Sequence, residues 1–166
     1  MEYCLHAYGK GDGTERVLDV GSYDENGTYR HLFATAACQP GYPILSYTGA
    51  DIRKGPNVDL VMGEYSIPVQ DGASDVIISG NTLEHVKLFW VWTRELTRVL
   101  APGGLLILGV PSLGCGGHRY PVDCWRLMPD GMRVLFEDWL GLDVLEIRKE
   151  GFDIFGVARK REARKD

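Results

Sequence analysis

The sequence has few cysteines and no pairing pattern among them, and this absence excludes several classes of protein. The four cysteines show neither a CxxC pair nor a histidine spacing typical of zinc, so no metal site is predicted. A chain of 166 residues buries a core that does not depend on disulfides. We therefore expect a cytoplasmic location and reduced thiols at Cys4, Cys38, Cys115 and Cys124.

Long apolar runs and excess basic charge are absent as well. No apolar stretch reaches the roughly 20 residues that a membrane-spanning helix requires. The segment 1–13 has neither the basic start nor the apolar centre of a signal peptide. The net charge of −5, from 18 basic and 23 acidic residues, gives no field that attracts a nucleic-acid backbone. We therefore expect no membrane span and no nucleic-acid partner.

Strands and helices are predicted to alternate over the first two thirds of the chain. Five short apolar runs predict buried parallel strands: RVLDV, ILSYTGAD, VDLVM, DVIISG and LLILGV. Two sets of residues repeat at helical spacing: Tyr29, Leu32, Phe33, Ala36 and Ala37, then Phe89, Trp92, Leu96, Val99 and Leu100. The segment GEYSIPVQDGAS, between the third and fourth strands, has too little periodicity for a full crossover helix.

The last third predicts a long loop, a helix and an antiparallel pair of strands. PSLGCGGHRYPVDCWRL is aperiodic, and a loop of this length in a compact domain tends to be functional. Pro129 suits a first helical position, and the buried face of its helix is predicted to comprise Met132, Leu135, Phe136 and Trp139. LDVLEIR and FDIFGVARK alternate like an antiparallel pair at the edge of the sheet.

These elements predict an α/β fold of the Rossmann-like, doubly wound type. Its sheet would have seven strands, mostly parallel with an antiparallel edge pair, and helices would cover both faces. We expect a single domain over 1–166, with a lead-in at 1–14, a substrate-side loop at 113–127 and a charged tail at 159–166.

The first turn of this fold indicates which cofactor it binds, because ligands lie beyond the carboxyl ends of the strands. The turn reads GSYDENG, without the GxGxxG that a pyrophosphate requires, and no P-loop motif occurs. Asp24 and Glu25 would repel phosphate. A cofactor with an adenosine, a positive centre and no phosphate fits better, and S-adenosylmethionine has these properties.

The segments VLDVGS, YTGADI, IPVQDGASDVIISGNTLEHV and LTRVLAPGGLLILGVPS, in this order, resemble the class I S-adenosylmethionine-dependent methyltransferases with a type 11 methyltransferase domain. The resemblance implies that Asp19 orients the methionine part and that Asp51 accepts hydrogen bonds from the ribose hydroxyls. It places Glu64 near the adenine amine, although Gly63 occupies the commonest position of that acidic residue. The predicted cofactor-binding set is Asp19, Gly21, Ser22, Tyr23, Asp51, Ile52, Gly63, Glu64, Ser79, Gly80 and Asn81.

Methyl transfer requires mainly an aligned acceptor, with a general base where the acceptor is a hydroxyl. The predicted catalytic residues are His118, Tyr120 and Asp123, all in the long loop. His85 in LEHV is interpreted as a structural residue at the start of a helix. The tryptophans are interpreted as core residues, with Trp125 as the one suited to line an acceptor site.

The expected acceptor is a small molecule or a sugar-type hydroxyl. HRYPVDCWR is similar to methyltransferase domains of bacterial surface-sugar pathways, a similarity that does not define the substrate. A homodimer that completes a thinly covered site is a further expectation. Two alternatives stay open at this point. One is a nicotinamide-dependent oxidoreductase, against which the missing GxGxxG argues, and the other is a cofactor-binding module without transfer activity.

Overall fold

The computed structural model describes residues 7–8, 15–23, 29–30 and 44–162, which contain a seven-stranded mixed sheet. The strand order is β3-β2-β1-β4-β5-β7-β6. Strands β1 to β5 are parallel, whereas β7 pairs antiparallel with both β5 and β6. The strands are β1 (Glu15–Val20), β2 (Ile44–Asp51), β3 (Leu60–Val61), β4 (Ser74–Gly80), β5 (Leu100–Pro111), β6 (Asp143–Glu150) and β7 (Asp153–Arg159). The predicted fold class and all seven strands are confirmed.

Two helices that are described over their full length, and a short turn, accompany the sheet. Helix α1 spans Phe89–Val99, and α2 spans Pro129–Val134 and widens into a π-helical turn over Leu135–Trp139. A 3₁₀ turn, Leu83–His85, follows β4. The predicted first helix lies outside the described residues except for its start, as do Asp24 and Glu25. No helix among the described residues is both long and apolar enough to cross a membrane.

Both faces of the central strands are buried, which explains their continuous apolar sequences. In β4, Val76 and Ile78 pack on one face with Tyr8 and Tyr29 beside them. Ile77, between them, points to the opposite face, where α1 and α2 place the side chains of Trp92, Leu96, Met132 and Phe136. The period of two along a strand accounts for this division.

The connection between β3 and β4 is trimmed, as predicted. Residues 62–73 contain no helix, and Arg98 from α1 holds the segment in place. Its guanidinium donates to the carbonyl oxygens of Ile67 (2.9 Å) and Val69 (3.0 Å), and it forms ion pairs with Asp71 (2.6 Å) and Glu95 (2.7 Å). Arg98 therefore anchors this segment to α1, and Met62 and Ile67 pack into the core.

Two tryptophans expected in the core are partly exposed. Trp139 is 40% exposed and Trp90 37%. The helix after Pro129 changes from α to π geometry at Leu135, so the predicted spacing no longer directs residue 139 inward. Instead the Trp139 indole donates to the Trp90 carbonyl oxygen at 3.0 Å, and Arg94 lies 4.1 Å from the centre of its ring.

His85 was also expected to begin a helix, and this is wrong. His85 ends the 3₁₀ turn, and α1 begins four residues later at Phe89. The extended backbone of Val86, with φ of −91° and ψ of 112°, separates the two.

Candidate functional site

Gly21 ends β1 with a backbone that only glycine adopts easily. Its φ is +81°, and a Cβ at this position would lie 2.1 Å from the Thr82 hydroxyl oxygen. The amides of Gly21 and Ser22 both donate to the Ala50 carbonyl oxygen, at 2.8 and 3.1 Å. The Ser22 hydroxyl donates to the Asn57 carbonyl oxygen at 3.1 Å. The first turn is thus fixed against β2 and the turn after β4.

Asp51 ends β2 as a buried carboxylate held by backbone donors. The residue is 8% exposed. Its two carboxylate oxygens accept hydrogen bonds from the backbone amides of Tyr23 (3.2 Å) and Arg53 (2.9 Å). Ile52, beside it, is 51% exposed. The carboxylate is therefore preset in position, and each oxygen keeps a lone pair for a further donor.

Asp19 is a second buried carboxylate, on the neighbouring strand β1. It is 3% exposed and accepts a hydrogen bond from the Tyr47 hydroxyl. Burial raises the pKa of Asp19 to about 6, although the Tyr47 hydrogen bond and the charge of Arg30 act in the opposite direction. Burial disfavours the charged form, so this carboxylate would gain from a nearby positive ligand.

The end of β4 packs against the end of β1. The Ser79 hydroxyl donates to the Val20 carbonyl oxygen at 2.6 Å. The Tyr29 hydroxyl lies so close to Gly80 that a Cβ there would approach it to 2.1 Å. Asn81 has a φ of +51°, in the left-handed region where functional residues are enriched, and its amide donates to the Gly109 carbonyl oxygen at 2.9 Å.

Gly63 and Glu64, after β3, are exposed. The Gly63 amide donates to the Ser66 carbonyl oxygen at 2.9 Å, and the Glu64 carboxylate accepts from the Tyr65 hydroxyl at 2.8 Å. Met62 donates its amide to the Asp51 carbonyl oxygen at 2.9 Å, which places this segment next to the end of β2. The predicted rim is thus contiguous from β3 through β2 and β1 to β4.

The long loop reaches this rim through Tyr120. Arg53 lies 4.2 Å from the centre of the Tyr23 ring and 4.9 Å from that of Tyr120, and it donates to the Tyr120 hydroxyl at 2.9 Å. The two aromatic rings therefore flank one guanidinium. Tyr23, which was predicted to bind the cofactor, lies against the Arg53 guanidinium and packs over Gly55.

Asp123 is engaged within the loop. Its carboxylate forms a two-pronged ion pair with Arg126, at 2.5 and 2.8 Å, and accepts from the His118 amide at 2.7 Å. The Arg126 guanidinium holds the pKa of Asp123 well below its usual range. A carboxylate with so low a pKa is a weak base, which argues against the predicted role of Asp123 in proton removal.

Three hydrogen bonds join the loop to the turn after β4. The Cys124 amide donates to the Glu84 carbonyl oxygen at 2.8 Å, the His85 Nδ1 contacts the Val122 carbonyl oxygen at 2.5 Å, and the Trp125 indole donates to the Val86 carbonyl oxygen at 2.9 Å. Trp125 is half-buried, and with its neighbours it borders an open cleft of about 310 Å³ lined by Cys115, Gly117, Asp123, Cys124, Trp125 and Arg126.

Comparison with known proteins agrees with this arrangement. Residues 30–108 match a family model described as a methyltransferase domain. A methyltransferase of Mycobacterium sp. (strain JLS), described as uncharacterized, is 46% identical over 120 residues, which cover 64% of this chain and 44% of the relative. The chain spans less than half the length of the curated relatives it matches.

Solved structures with the same architecture cover nearly the whole chain. A 1,6-didemethyltoxoflavin-N1-methyltransferase of Burkholderia thailandensis superposes with a TM-score of 0.75 at 12% identity, over 97% of this chain and 76% of that protein. A SAM-dependent methyltransferase of Aquifex aeolicus gives a TM-score of 0.67 at 20% identity, over 95% and 88%. The chain has the class I methyltransferase fold. The resemblance drawn from the sequence is therefore confirmed.

Within this methyltransferase fold, the structure brings together most of the predicted residues. Those from β1, β2 and β4 share one buried edge, and Tyr120 approaches that edge through Arg53. His118 and Asp123 lie instead beside the turn after β4, where His118 contacts the ring of His85 with 5.0 Å between ring centres.

Glu84 is the residue in this methyltransferase fold that sequence reasoning overlooked. It is 0% exposed, and among the described residues neither of its carboxylate oxygens has a hydrogen-bond partner. Its position directly before His85, at the carboxyl edge of a parallel sheet, was the available signal, since charged residues there tend to be functional. Its complete burial depends on the loop that folds over it, which periodicity does not reveal.

Proposed function

We propose that the protein transfers a methyl group from S-adenosylmethionine to a small-molecule hydroxyl. The proposal depends above all on the two buried carboxylates, Asp19 and Asp51, at the carboxyl ends of adjacent strands. The negative charge of these carboxylates at the pocket entrance would attract a cationic sulfonium and repel a diphosphate. The methyltransferase-domain match and the class I fold support the same assignment.

The residues at the rim fit this cofactor. Asp51 would accept hydrogen bonds from ribose hydroxyls, because its oxygens are already oriented by two backbone amides. Asp19 would face the methionine part, where a cationic group would favour its charged form. Gly21 lets the backbone come close at the first turn. Gly63 and Glu64 would border the adenine, and the carbonyl groups of Ser79 and Gly80 would face the methionine ammonium.

The cofactor supplies a methyl group that is already activated by the sulfonium, so the chain contributes mainly position and exclusion of water. His118 and Tyr120 are the residues we propose to contact the acceptor, and His118 is the better candidate for accepting the hydroxyl proton. The Asp123 carboxylate would position His118 by accepting a hydrogen bond from the His118 backbone amide.

The loop 113–127 is the proposed cover of the acceptor side, within one methyltransferase domain. The cleft beside Trp125 offers an aromatic surface of the kind that sugar rings and other flat acceptors contact. The open rim is also compatible with a second copy of the chain that completes the site. The cysteines described in the structure, Cys115 and Cys124, are free thiols, which fits the proposed cytoplasmic location.

Calorimetric titration tests the proposal directly. We expect saturable binding of S-adenosylmethionine and S-adenosylhomocysteine and none of NADH. Binding of NADH alone would support the oxidoreductase alternative and contradict the proposal. Where S-adenosylmethionine binds, transfer of its labelled methyl group to pools of sugars, lipids and small aromatic hydroxyl compounds identifies the acceptor class. Binding without transfer to any pool would favour the cofactor-binding module.

A further inference from the structure

We propose that Glu84, His85 and His118 form a binding site for a divalent transition-metal ion. The three side chains come from the turn after β4 and from the loop that covers it. One ligand atom from each lies within 4.8 Å of the other two.

Glu84 is a buried carboxylate that lacks hydrogen-bond donors. Its side chain is fully buried, and neither oxygen accepts a hydrogen bond from the part of the chain that the structure describes. An unpaired buried carboxylate is strongly destabilising, so native proteins pair it or use it as a metal ligand. Glu84 is therefore arranged for a positively charged partner.

His85 presents a lone pair to this carboxylate. Its Nδ1 lies 2.5 Å from the Val122 carbonyl oxygen, and because a carbonyl only accepts hydrogen bonds, Nδ1 carries the proton. In the neutral imidazole, Nε2 is then the unprotonated nitrogen, and it lies 3.7 Å from Glu84 Oε1. A backbone carbonyl that fixes the tautomer in this way is the usual outer partner of a metal-bound histidine.

His118 brings a second imidazole to the same oxygen. Its Nε2 lies 3.6 Å from Glu84 Oε1, and its backbone is held by the Asp123 carboxylate, which Arg126 fixes in turn. His118 is half-exposed, so the third ligand comes from the solvent side. An ion can therefore enter from that side without unfolding the buried turn.

The distances favour a metal ion over a proton shared between these groups. An N–H to oxygen hydrogen bond has its heavy atoms about 2.7–3.2 Å apart, shorter than the 3.6 and 3.7 Å found here. Two ligands of a tetrahedral ion with bonds of about 2.0–2.1 Å are separated by about 3.3 Å. A movement of about 0.3–0.4 Å by each imidazole would bring its nitrogen to this distance from the Glu84 oxygen.

The ligand types indicate the class of metal. Two imidazoles and one carboxylate suit zinc, cobalt or iron better than magnesium or calcium, which prefer oxygen ligands. Three protein ligands leave one position for water or substrate, as in catalytic zinc sites. If the proposed methyl transfer holds, a hydroxyl bound in that position would lose its proton to solvent at a lower pH. The metal would then replace His118 as the group that activates the acceptor, because a metal-bound imidazole nitrogen has no lone pair for a proton.

Titration with Co²⁺ alone, followed by visible absorption, tests the site. We expect one equivalent to bind with saturable ligand-field bands and without the near-ultraviolet absorption of a cobalt–thiolate bond. H118Q, on the exposed side, should weaken binding at least about 100-fold, beyond the 10–100-fold typical of outer-shell changes. E84Q should do the same and should abolish the increase in melting temperature that Co²⁺ gives the wild type. R119Q, which changes the exposed neighbour of His118, should bind Co²⁺ like the wild type.

Absence of a saturable cobalt spectrum would overturn the site and leave a Glu84–histidinium ion pair as the explanation. Unchanged affinity in H118Q, which is expected to fold because the residue is half-exposed, would overturn it too, as would a thiolate band. S-adenosylmethionine binding is measured on the same preparations. Cofactor binding without cobalt binding contradicts only the metal site, and cobalt binding without cofactor binding contradicts only the proposed function.

Discussion

Asp51 and Glu84 lie at the same edge of the sheet and are both buried, yet their surroundings differ. Each oxygen of Asp51 accepts a backbone N–H, from Tyr23 and from Arg53. Neither oxygen of Glu84 accepts a hydrogen bond from the described residues, and two imidazole nitrogens lie 3.6 and 3.7 Å away. The first carboxylate is supplied with backbone donors, one from its own turn and one from the turn after β1, and the second is not.

This difference indicates what each carboxylate is suited to bind. A carboxylate held by amides is stable while empty and accepts further neutral donors, such as hydroxyl groups. A buried carboxylate without hydrogen-bond donors is unfavourable until a cation arrives. The same edge of the sheet therefore carries a cofactor rim that is ordered without ligand and, at Glu84, a carboxylate that requires a cation.

The largest expected effect comes from breaking the rim at Gly21. G21A places a Cβ 2.1 Å from the Thr82 hydroxyl oxygen and keeps a φ of +81°. The strain and overlap should lower the free energy of unfolding by about 3 kcal/mol and abolish S-adenosylmethionine binding. Urea unfolding and calorimetry measure both.

The control for this change is G131A. Gly131 lies in α2, where the nearest atom to a Cβ is 3.8 Å away, so alanine should leave stability unchanged or raise it by up to about 1 kcal/mol. Equal destabilisation by both substitutions would show that the first turn has no special constraint.

The charge of Asp19 gives the next effect, through pH. Its pKa is about 6 in the folded protein against an ordinary value of 3.8, so the folded state binds this proton more tightly. The free energy of unfolding should therefore fall as pH rises from about 4 to about 6, by about 3 kcal/mol in total. D19N should lack this component, while D130N, at an exposed position, should keep it.

Urea unfolding of the three proteins at several pH values measures the difference. Parallel curves for D19N and the wild type would show that Asp19 is not the titrating group. Because a cationic ligand favours the charged carboxylate, S-adenosylmethionine should also bind the wild type more tightly above pH 6 than below it.

Asp51 provides a direct test of the preset carboxylate. D51N replaces one acceptor oxygen by an amide that cannot serve both backbone donors and ribose hydroxyls. The loss of charge-assisted hydrogen bonds should weaken S-adenosylmethionine binding about 10- to 100-fold. D71N removes an exposed carboxylate paired with Arg98 and should leave this affinity unchanged. A similar affinity in D51N and the wild type would rule out the ribose contact.

The smallest effect is expected at Tyr120, where the loop meets the rim. Y120F removes the hydroxyl that accepts from Arg53 at 2.9 Å. This exposed contact contributes about 0.5–1 kcal/mol, so S-adenosylmethionine should dissociate about two- to fivefold faster in stopped-flow measurements. Y120L, which also removes the ring stacked on Arg53, should increase the rate further. Unchanged rates in both would show that the contact between Tyr120 and Arg53 does not help to retain the cofactor.

The strands and the position of the rim could be predicted because interior parallel strands have distinctive apolar sequences and end at one edge. β2 was predicted to the residue. β5 begins earlier than predicted, at Leu100, because APGG forms a bulge in the strand, with Gly103 at a φ of +74°, rather than a separate turn. Glycine and proline next to a strand indicate a local irregularity, and only the pairing with β4 shows which one.

The loop-dependent part of the site could not be predicted in the same way. The stacking of Tyr23 and Tyr120 on Arg53 joins residues from three separate segments, and no spacing in the sequence encodes it. The burial of Glu84 and the exposure of Trp139 likewise result from tertiary packing. His118 was predicted as a catalytic residue because imidazole can accept a proton. Its position beside Glu84 depends on how the loop folds, which the sequence does not reveal.

The hydrogen bonds and ion pairs of Arg98 determine where the connection between β3 and β4 can accept inserted residues. The anchors of residues 62–73 lie on both sides of Gln70: the Arg98 guanidinium binds the carbonyls of Ile67 and Val69, and the Gly72 amide donates to the Arg98 carbonyl oxygen at 3.0 Å. The segment can therefore be lengthened at the exposed Gln70 without altering the strand order. Residues inserted after Gln70 would extend into solvent while the anchoring carbonyls stay in place. The segment is therefore a natural position for a fluorescent reporter or a grafted peptide.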